Sequence, residues 1–582
     1  MIPINRTYAP IQALVDELAR CGMRHAVTCP GSRNAPIALA LAAHPDIEAI
    51  SVLDERSAGF VALGMAKVTG APVAITTTSG TASANLLPAI VEAHEARVPL
   101  IALTADRPPE LRDVGAGQAI DQIKLFGSFA KWFVEAGNHE PGRATAIHFR
   151  SLGCRAYATA ALGRPGPVHV NLPLREPLAP GREEMDAADW EGRPGGAPWT
   201  AVAPTGPWPR AQTYAPVPGP ALDKAARRVV LVCGATSGLT DERITEWAAE
   251  MGWPVLADPL SGLRFGGHDR SAVIAHYDVL LRDEGWAAAH QPDLVIRIGD
   301  TPTSKPLRAW IARAPQLLVD PHLIWHDPTR TADLIVPLAP SSVLLGLAAE
   351  QADPEWVESW RRADALVPEA LAAAPADLVE PAVCAGLVEQ LPAGTTLWVS
   401  SSMPIRDMES FAPSSKKPLR VFANRGANGI DGVVSSALGA AIAGDAPVIV
   451  LIGELALAHD ASGLLAAARA GARLGIVCLN NGGGGIFDFL PLAEHAEAGP
   501  YEEHIATPIP TDVAALASIA GMRHVLAQSA ADAAAQAAAG VLVEVRGDRA
   551  ANVRGHRELF KAVAAKLAGD SVTPGAGAAP AA

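Results

Sequence analysis

The stretches Val448–Glu454 (VIVLIGE) and Ile476–Gly485 (IVCLNNGGGG) decide how this chain folds. Each begins as a short apolar run rich in β-branched residues, as strands buried on both faces of a parallel sheet require. Between them, SGLLAAARAGARLG (462–475) is helix-length and rich in Ala and Leu, which favour helix. The unit is strand, helix, strand. Its first strand ends in Gly453 and Glu454; its second ends in Asn480, Asn481 and the glycines Gly482 to Gly485. Open α/β sheets bind ligands at the carboxyl ends of their strands. A carboxylate, a carboxamide and glycine carbonyls are hard oxygen donors. They suit Mg²⁺ (or Mn²⁺), an ion usually shared with a phosphate.

The same alternation runs through most of the chain. IQALVDELARCG (11–22) reads as an amphipathic helix ending at Gly22. HAVTCPGSRNAPI, IEAISVLDERSAGF, PVAITTTSGTASANLL and VPLIALTADRPP each read as a strand running into a turn. RRVVLVCGATSG, WPVLADP, DLVIRIGDTPTSKPLRAW and QLLVDP form a second series. TTLWVSSSMPIRDME and the stretch first quoted form a third. The expected fold class is α/β: three doubly wound, Rossmann-like domains on parallel sheets. The expected layout is a first domain over 1–178, a Pro/Gly/Trp-rich linker over 179–220 and a middle domain over 221–350. An Ala/Pro-rich linker over 351–377, a third domain over 378–565 and a disordered tail over 566–582 complete it. The turn GATSG (234–238) lacks G-x-G-x-x-G spacing, so the middle domain is not expected to bind a dinucleotide.

At 582 residues, roughly three to four domains are expected. The net charge of −14 argues against a nucleic-acid surface, so any anion site is a local cluster of Arg and Lys. The six cysteines include no CxxC pair, which gives no zinc motif and no disulfide framework. MIPINRTYAP lacks the features of a signal peptide, and no apolar run is long enough to span a bilayer. A reducing cytoplasm is the expected location.

The Glu454-to-Asn481 unit resembles the thiamine diphosphate signature, in which an Asp, the second Asn of an Asn-Asn pair and a later carbonyl hold the metal against the diphosphate. Those roles fall on Glu454, Asn481 and Gly483. Glu454 is one methylene longer than the usual Asp, and Ala456 replaces a frequent hydroxyl residue. More narrowly, PGSRNAP (30–36), DERSAGF (54–60), TTSGTASANLLPA (77–89), TADRPPEL (104–111), GQAIDQIKLFG (117–127), SKPL (304–307), SSMPIRD (401–407), NRGANGIDG (424–432) and NNGGGGIFDFLP (480–491) resemble one family. It is the 2-succinyl-5-enolpyruvyl-6-hydroxy-3-cyclohexene-1-carboxylate synthases of menaquinone biosynthesis.

The resemblance implies thiamine diphosphate-dependent decarboxylation of 2-oxoglutarate and conjugate addition of the resulting succinyl-semialdehyde carbanion to isochorismate. It implies that the first domain binds the coenzyme's pyrimidine and the third its diphosphate. Glu55 would hydrogen-bond the aminopyrimidine ring nitrogen. Ser32, Arg33, Arg107, Gln118, Lys305, Ser402, Arg406 and Arg425 would hold the substrates' carboxylate and hydroxyl groups. Gln118, Ser402, Ile430, Leu455, Ile486 and Phe487 would enclose the coenzyme, with Leu490 beyond them. Gly117 stands where the family usually has Asn, which removes one polar contact. The resemblance also implies a homodimer or homotetramer with active sites at the subunit interface. Two other readings stand beside it. One is a different thiamine diphosphate enzyme, such as a 2-oxoacid decarboxylase or an acetolactate synthase. The other is a catalytically weak homologue acting as a binding protein, on the strength of Glu454, Ala456 and Gly117.

Overall fold

Runs of β-branched residues alternating with helices give, among the described residues, three parallel sheets of six strands each. The computed structural model describes residues 5–202, 226–236, 241–340, 343–344 and 350–570. The first sheet contains β1 (His25–Thr28), β2 (Glu48–Ser51), β3 (Val73–Thr77), β4 (Leu100–Asp106), β5 (Trp132–Glu135) and β6 (Val168–Pro173). The middle sheet contains β7 (Val229–Cys233), β8 (Val255–Ala257), β9 (Val273–Ile274), β10 (Leu294–Ile298), β11 (Gln316–Val319) and β12 (Leu334–Val336). The third contains β13 (Thr396–Val399), β14 (Arg420–Phe422), β15 (Val448–Gly453), β16 (Leu474–Asn480), β17 (His524–Leu526) and β18 (Leu542–Arg546).

The first sheet is ordered β2-β1-β3-β4-β6-β5, and the third repeats that order as β14-β13-β15-β16-β18-β17. The middle sheet is ordered β12-β11-β10-β7-β8-β9, with the order reversing between β10 and β7.

The first and third domains share one core. Phe60, Val61 and Leu63 of the helix Glu55–Thr69 pack with Val433, Val434 and Leu438 of the helix Val433–Ala443. Glycine allows the close approach. A Cβ on Gly64 would lie 1.8 Å from the Ser436 oxygen, and one on Gly439 would lie 2.0 Å from the Val61 oxygen.

Two readings from composition need correction. The stretch expected as a linker over 351–377 contains a helix, Pro354–Ala372, and Trp356, Trp360, Ala363, Val367 and Ala370 along it are buried. These residues recur at helical spacing and close the core of the middle sheet with Trp253 and Trp310. The last helix, Arg549–Asp570, runs past the expected start of the tail at 566; residues 571–582 lie outside the described residues. Of the expected linker over 179–220, residues 179–202 are described, and they return along the first domain. There Arg150 donates to the Trp190 oxygen at 2.8 Å, and Trp199 lies under Arg143 and Arg193.

Candidate active site

β15 and β16 are parallel neighbours with Gly453 opposite Leu479, so Glu454 and Asn481 emerge at the same sheet edge. A cavity of about 870 Å³ opens there, between the third and middle domains. Glu454 starts the short helix Glu454–His459 and is 2% exposed. Its longer arm reaches the glycine loop, where Oε1 accepts from the Gly483 N–H at 2.6 Å. Burial raises its pKa, while the backbone N–H groups of Glu454, Gly483 and Asn481 act against that and favour the anion. Asn481 donates from Nδ2 to Oε1 of Glu380 at 2.9 Å. Its Oδ1 is buried and has no protein partner among the described residues. An unpaired buried acceptor costs about 1–3 kcal/mol, which a ligand would offset.

Backbone conformation explains the glycines. Gly483 has φ +148°, and a Cβ on it would lie 3.0 Å from the Ala506 oxygen. The Gly483 carbonyl accepts from the Gly485 N–H at 2.9 Å and keeps a second lone pair. A carboxylate, an amide oxygen with no protein partner among the described residues and a carbonyl with a lone pair to spare, all on one edge, fit a hard divalent ion with a diphosphate beside it.

The cavity wall facing this edge is cationic. Ser402 caps the helix Met403–Phe411 at φ +74°, ψ −136°, a conformation that costs a non-glycine residue about 1–3 kcal/mol. Arg406, one turn on, donates to the Ser402 oxygen at 2.6 Å and braces that turn. Arg425 donates to Ser401 Oγ and to Thr303 Oγ1, each at 3.1 Å. Both guanidinium groups thus bond neutral oxygens. Burial lowers the pKa of each, and for Arg425 the charge of Arg406 is the next cause. Two desolvated cations side by side make a site for an anion. Leu455, Ile430, Ile486 and Phe487 give the cavity its apolar faces. Leu490 is not among the lining residues. Lys305 starts the helix Lys305–Ile311 and is exposed; Thr303 and Arg308 on either side of it line the cavity, but Lys305 does not.

The remaining expected residues gather on the first domain. Arg107 donates to Ser79 Oγ, which in turn donates to the Gln118 carbonyl at 2.9 Å. Burial and then the Arg33 charge lower the pKa of Arg107, against the opposing charge of Asp106. Arg33 is held by the Leu174 carbonyl at 2.7 Å, and Ser32 precedes it in the loop after β1. Glu55 opens its helix, and the Asp54 carboxylate caps that helix by accepting from the N–H groups of Arg56 and Ser57. Arg56 donates to the His459 oxygen at 2.9 Å, at the far end of the helix that Glu454 begins. Ser32, Arg33, Glu55, Arg107 and Gln118 do not line the cavity of their own chain.

Sequence reasoning missed Glu380, Thr303, Arg308 and Asn428, all of which line the cavity. Glu380 is 2% exposed, and burial followed by the charge of Asp407 pushes its pKa up to about 7. Asp407 pairs with Nε2 of His556 at 2.9 Å, and Nδ1 of His556 faces the Asn552 oxygen at 2.8 Å. Burial opposes the His556 cation, but Asp407 outweighs it and the pKa rises. No local motif marks Glu380, because its partner Asn481 lies 101 positions away.

Comparison with known proteins agrees with this geometry. Residues 11–125 match the N-terminal TPP binding domain of thiamine pyrophosphate enzymes, 208–399 match the middle domain and 407–548 match the C-terminal TPP binding domain. The chain is similar to the 2-succinyl-5-enolpyruvyl-6-hydroxy-3-cyclohexene-1-carboxylate synthase of Geobacillus thermodenitrificans, at 44% identity with 96% of each chain covered. It is similar to the proteins of that name from Myxococcus xanthus, at 41% identity over 96% of this chain and 97% of the other, and from Chloroflexus aurantiacus, at 41% over 97% of each.

Proposed function

We propose, from the premise that the chain belongs to the 2-succinyl-5-enolpyruvyl-6-hydroxy-3-cyclohexene-1-carboxylate synthases among the thiamine pyrophosphate enzymes, a division of labour among its residues. The enzyme is a transferase that carries out a thiamine diphosphate-dependent step of menaquinone biosynthesis. Its substrates are 2-oxoglutarate and isochorismate, and CO₂ is released. One observation supports this above the rest: a single cavity joins a hard-oxygen edge to arginines that, among the described residues, bond neutral oxygens.

Glu454, Asn481 and the Gly483 carbonyl would hold Mg²⁺ or Mn²⁺. Ser402, Leu455, Ile430, Ile486, Phe487 and Gln118 would enclose the coenzyme. When bound, thiamine diphosphate supplies the electron sink that decarboxylation of a 2-oxo acid needs. Arg406 and Arg425 bind substrate carboxylate, and Ser32, Arg33, Arg107, Gln118 and Lys305 complete the grip. Both proposed substrates are dicarboxylates, which accounts for so many cations in an acidic protein. Ile486 and Phe487 keep water from the reacting carbon. Glu55 would hydrogen-bond the coenzyme's aminopyrimidine ring nitrogen and hold a proton there.

Glu55 and its neighbours lie outside the cavity of their own chain, which supports a homodimer or homotetramer in which a second copy supplies them. Among the described residues no helix is long and apolar enough to cross a membrane, and we place the enzyme in the cytoplasm. A CO₂-release assay with thiamine diphosphate, Mg²⁺ or Mn²⁺ and 2-oxoglutarate tests the reading. Turnover that requires isochorismate is expected. Rates indifferent to isochorismate, or rapid consumption of pyruvate, would contradict it and favour the decarboxylase or acetolactate synthase reading.

A further inference from the structure

An amide has nearly the same shape in either of its two orientations, so something must decide which end of Asn481 meets the ion. The deciding group is in contact with it. Glu380 stands in the first turn of the helix Val379–Gln390, is 2% exposed and lines the cavity. Its Oε1 lies 2.9 Å from Nδ2 of Asn481. A carboxylate accepts hydrogen bonds and donates none, so Nδ2 must turn toward it. Oδ1 must then point the other way, and it is the atom left buried without a protein partner. With Oδ1 toward Glu380, two oxygens would face each other and an N–H group would face the cation.

We propose that Glu380 is a positioning residue for the metal: it locks the Asn481 side chain so that Oδ1, and not Nδ2, faces the ion. This rests on the reading of Glu454, Asn481 and Gly483 as metal ligands. The contact of Glu380 is with Asn481, and its effect on the ion acts through that side chain. Loss of a hydrogen-bond partner behind a metal ligand typically weakens metal binding 10- to 100-fold.

Two substitutions separate orientation from charge. Glu380→Asp keeps the charge but withdraws the oxygen by one methylene, about 1.5 Å, beyond reach of Nδ2. Glu380→Gln loses the charge but keeps an oxygen at the same reach, and the negative charge of Asp407 that acts on this position favours turning its NH₂ away from Asn481. The readout is calorimetric titration of Mn²⁺, at pH 8, into protein saturated with thiamine diphosphate. Circular dichroism and melting curves establish that each variant is folded. The expected result is 10- to 100-fold weaker Mn²⁺ binding for Glu380→Asp and binding within about fivefold of wild type for Glu380→Gln. The opposite order would make Glu380 a charge and not a guide, and equal binding by all three proteins would give it no role; either overturns the proposal. Wild-type protein that takes up no Mn²⁺ would instead defeat the assignment of the metal site itself.

Discussion

Replacing Arg425 by Met should cripple substrate capture while leaving the coenzyme site intact. Arg425 is half-buried, and among the described residues its guanidinium bonds the hydroxyls of Ser401 and Thr303. Neither bond carries a negative charge; the carboxylates of Asp258 and Glu409 favour the cation without hydrogen-bonding it, which leaves donors for a substrate anion. A hydrogen bond to a charged group contributes roughly 1.5–3 kcal/mol, and 1.36 kcal/mol is a decade in rate, so kcat/KM should fall roughly 10- to 150-fold. The loss should appear mainly in KM for whichever substrate places a carboxylate there, because the contact is present before reaction. Arg425 does not touch Glu454 or Asn481, so the half-saturation for thiamine diphosphate should stay within about twofold, far below the one-decade step. Arg425→Lys keeps the charge but loses the two-pronged geometry, and should fall between wild type and Met. Steady-state kinetics with each substrate varied in turn, alongside a thermal melt, make the comparison. A kcat/KM within threefold of wild type, or coenzyme affinity falling in parallel with kcat/KM, would refute this reasoning.

Glu55→Gln should lower kcat by about 10²–10⁴, the usual contribution of a positioned proton-exchanging group, with coenzyme binding still measurable by circular dichroism; retention of a third of the activity would contradict its role. Mixing Glu55→Gln and Glu454→Ala proteins under subunit exchange should restore roughly a quarter of wild-type activity, since random pairing makes half the dimers hybrid and each hybrid has one complete site; no recovery from two folded, exchanging variants would contradict a shared site. Glu409 has its pKa pushed up to about 8, first by burial and then by Asp258 and Asp278, against an ordinary value of 4.5. A raised carboxyl stabilises the fold below its unfolded pKa and loses that effect as pH rises through the folded one, so melting temperature should fall between pH 5 and pH 8. Glu409→Gln should flatten that fall, and an unchanged slope would contradict the assignment.

The strands, and the shared edge at which Glu454 and Asn481 emerge, were legible in the sequence because strands buried on both faces leave nearly unbroken apolar runs, and residues at their carboxyl ends share an edge by construction. Glu454, Asn481 and the glycines after it follow directly from that. The helix Pro354–Ala372 was hidden by an Ala- and Pro-rich composition, although Trp356, Trp360, Ala363, Val367 and Ala370 keep helical spacing. Glu380 was hidden for a different reason: its meaning arises only where a helix start meets a strand end 101 positions away. Ser402 was visible as a residue, but its positive φ was not, because a serine in that conformation is set by the surrounding packing and not by its own preference. The division of the arginines into two clusters, Arg406 with Arg425 and Arg33 with Arg107, is likewise a product of the tertiary fold.

The measurement that bears most directly on the account is titration of the purified protein with thiamine diphosphate in the presence of Mg²⁺, followed by calorimetry and near-ultraviolet circular dichroism. Saturable uptake of one coenzyme per chain is expected, abolished by chelating the metal and strongly weakened in Asn481→Ala. No binding signal up to millimolar coenzyme, or uptake indifferent to both the metal and Asn481, would contradict it.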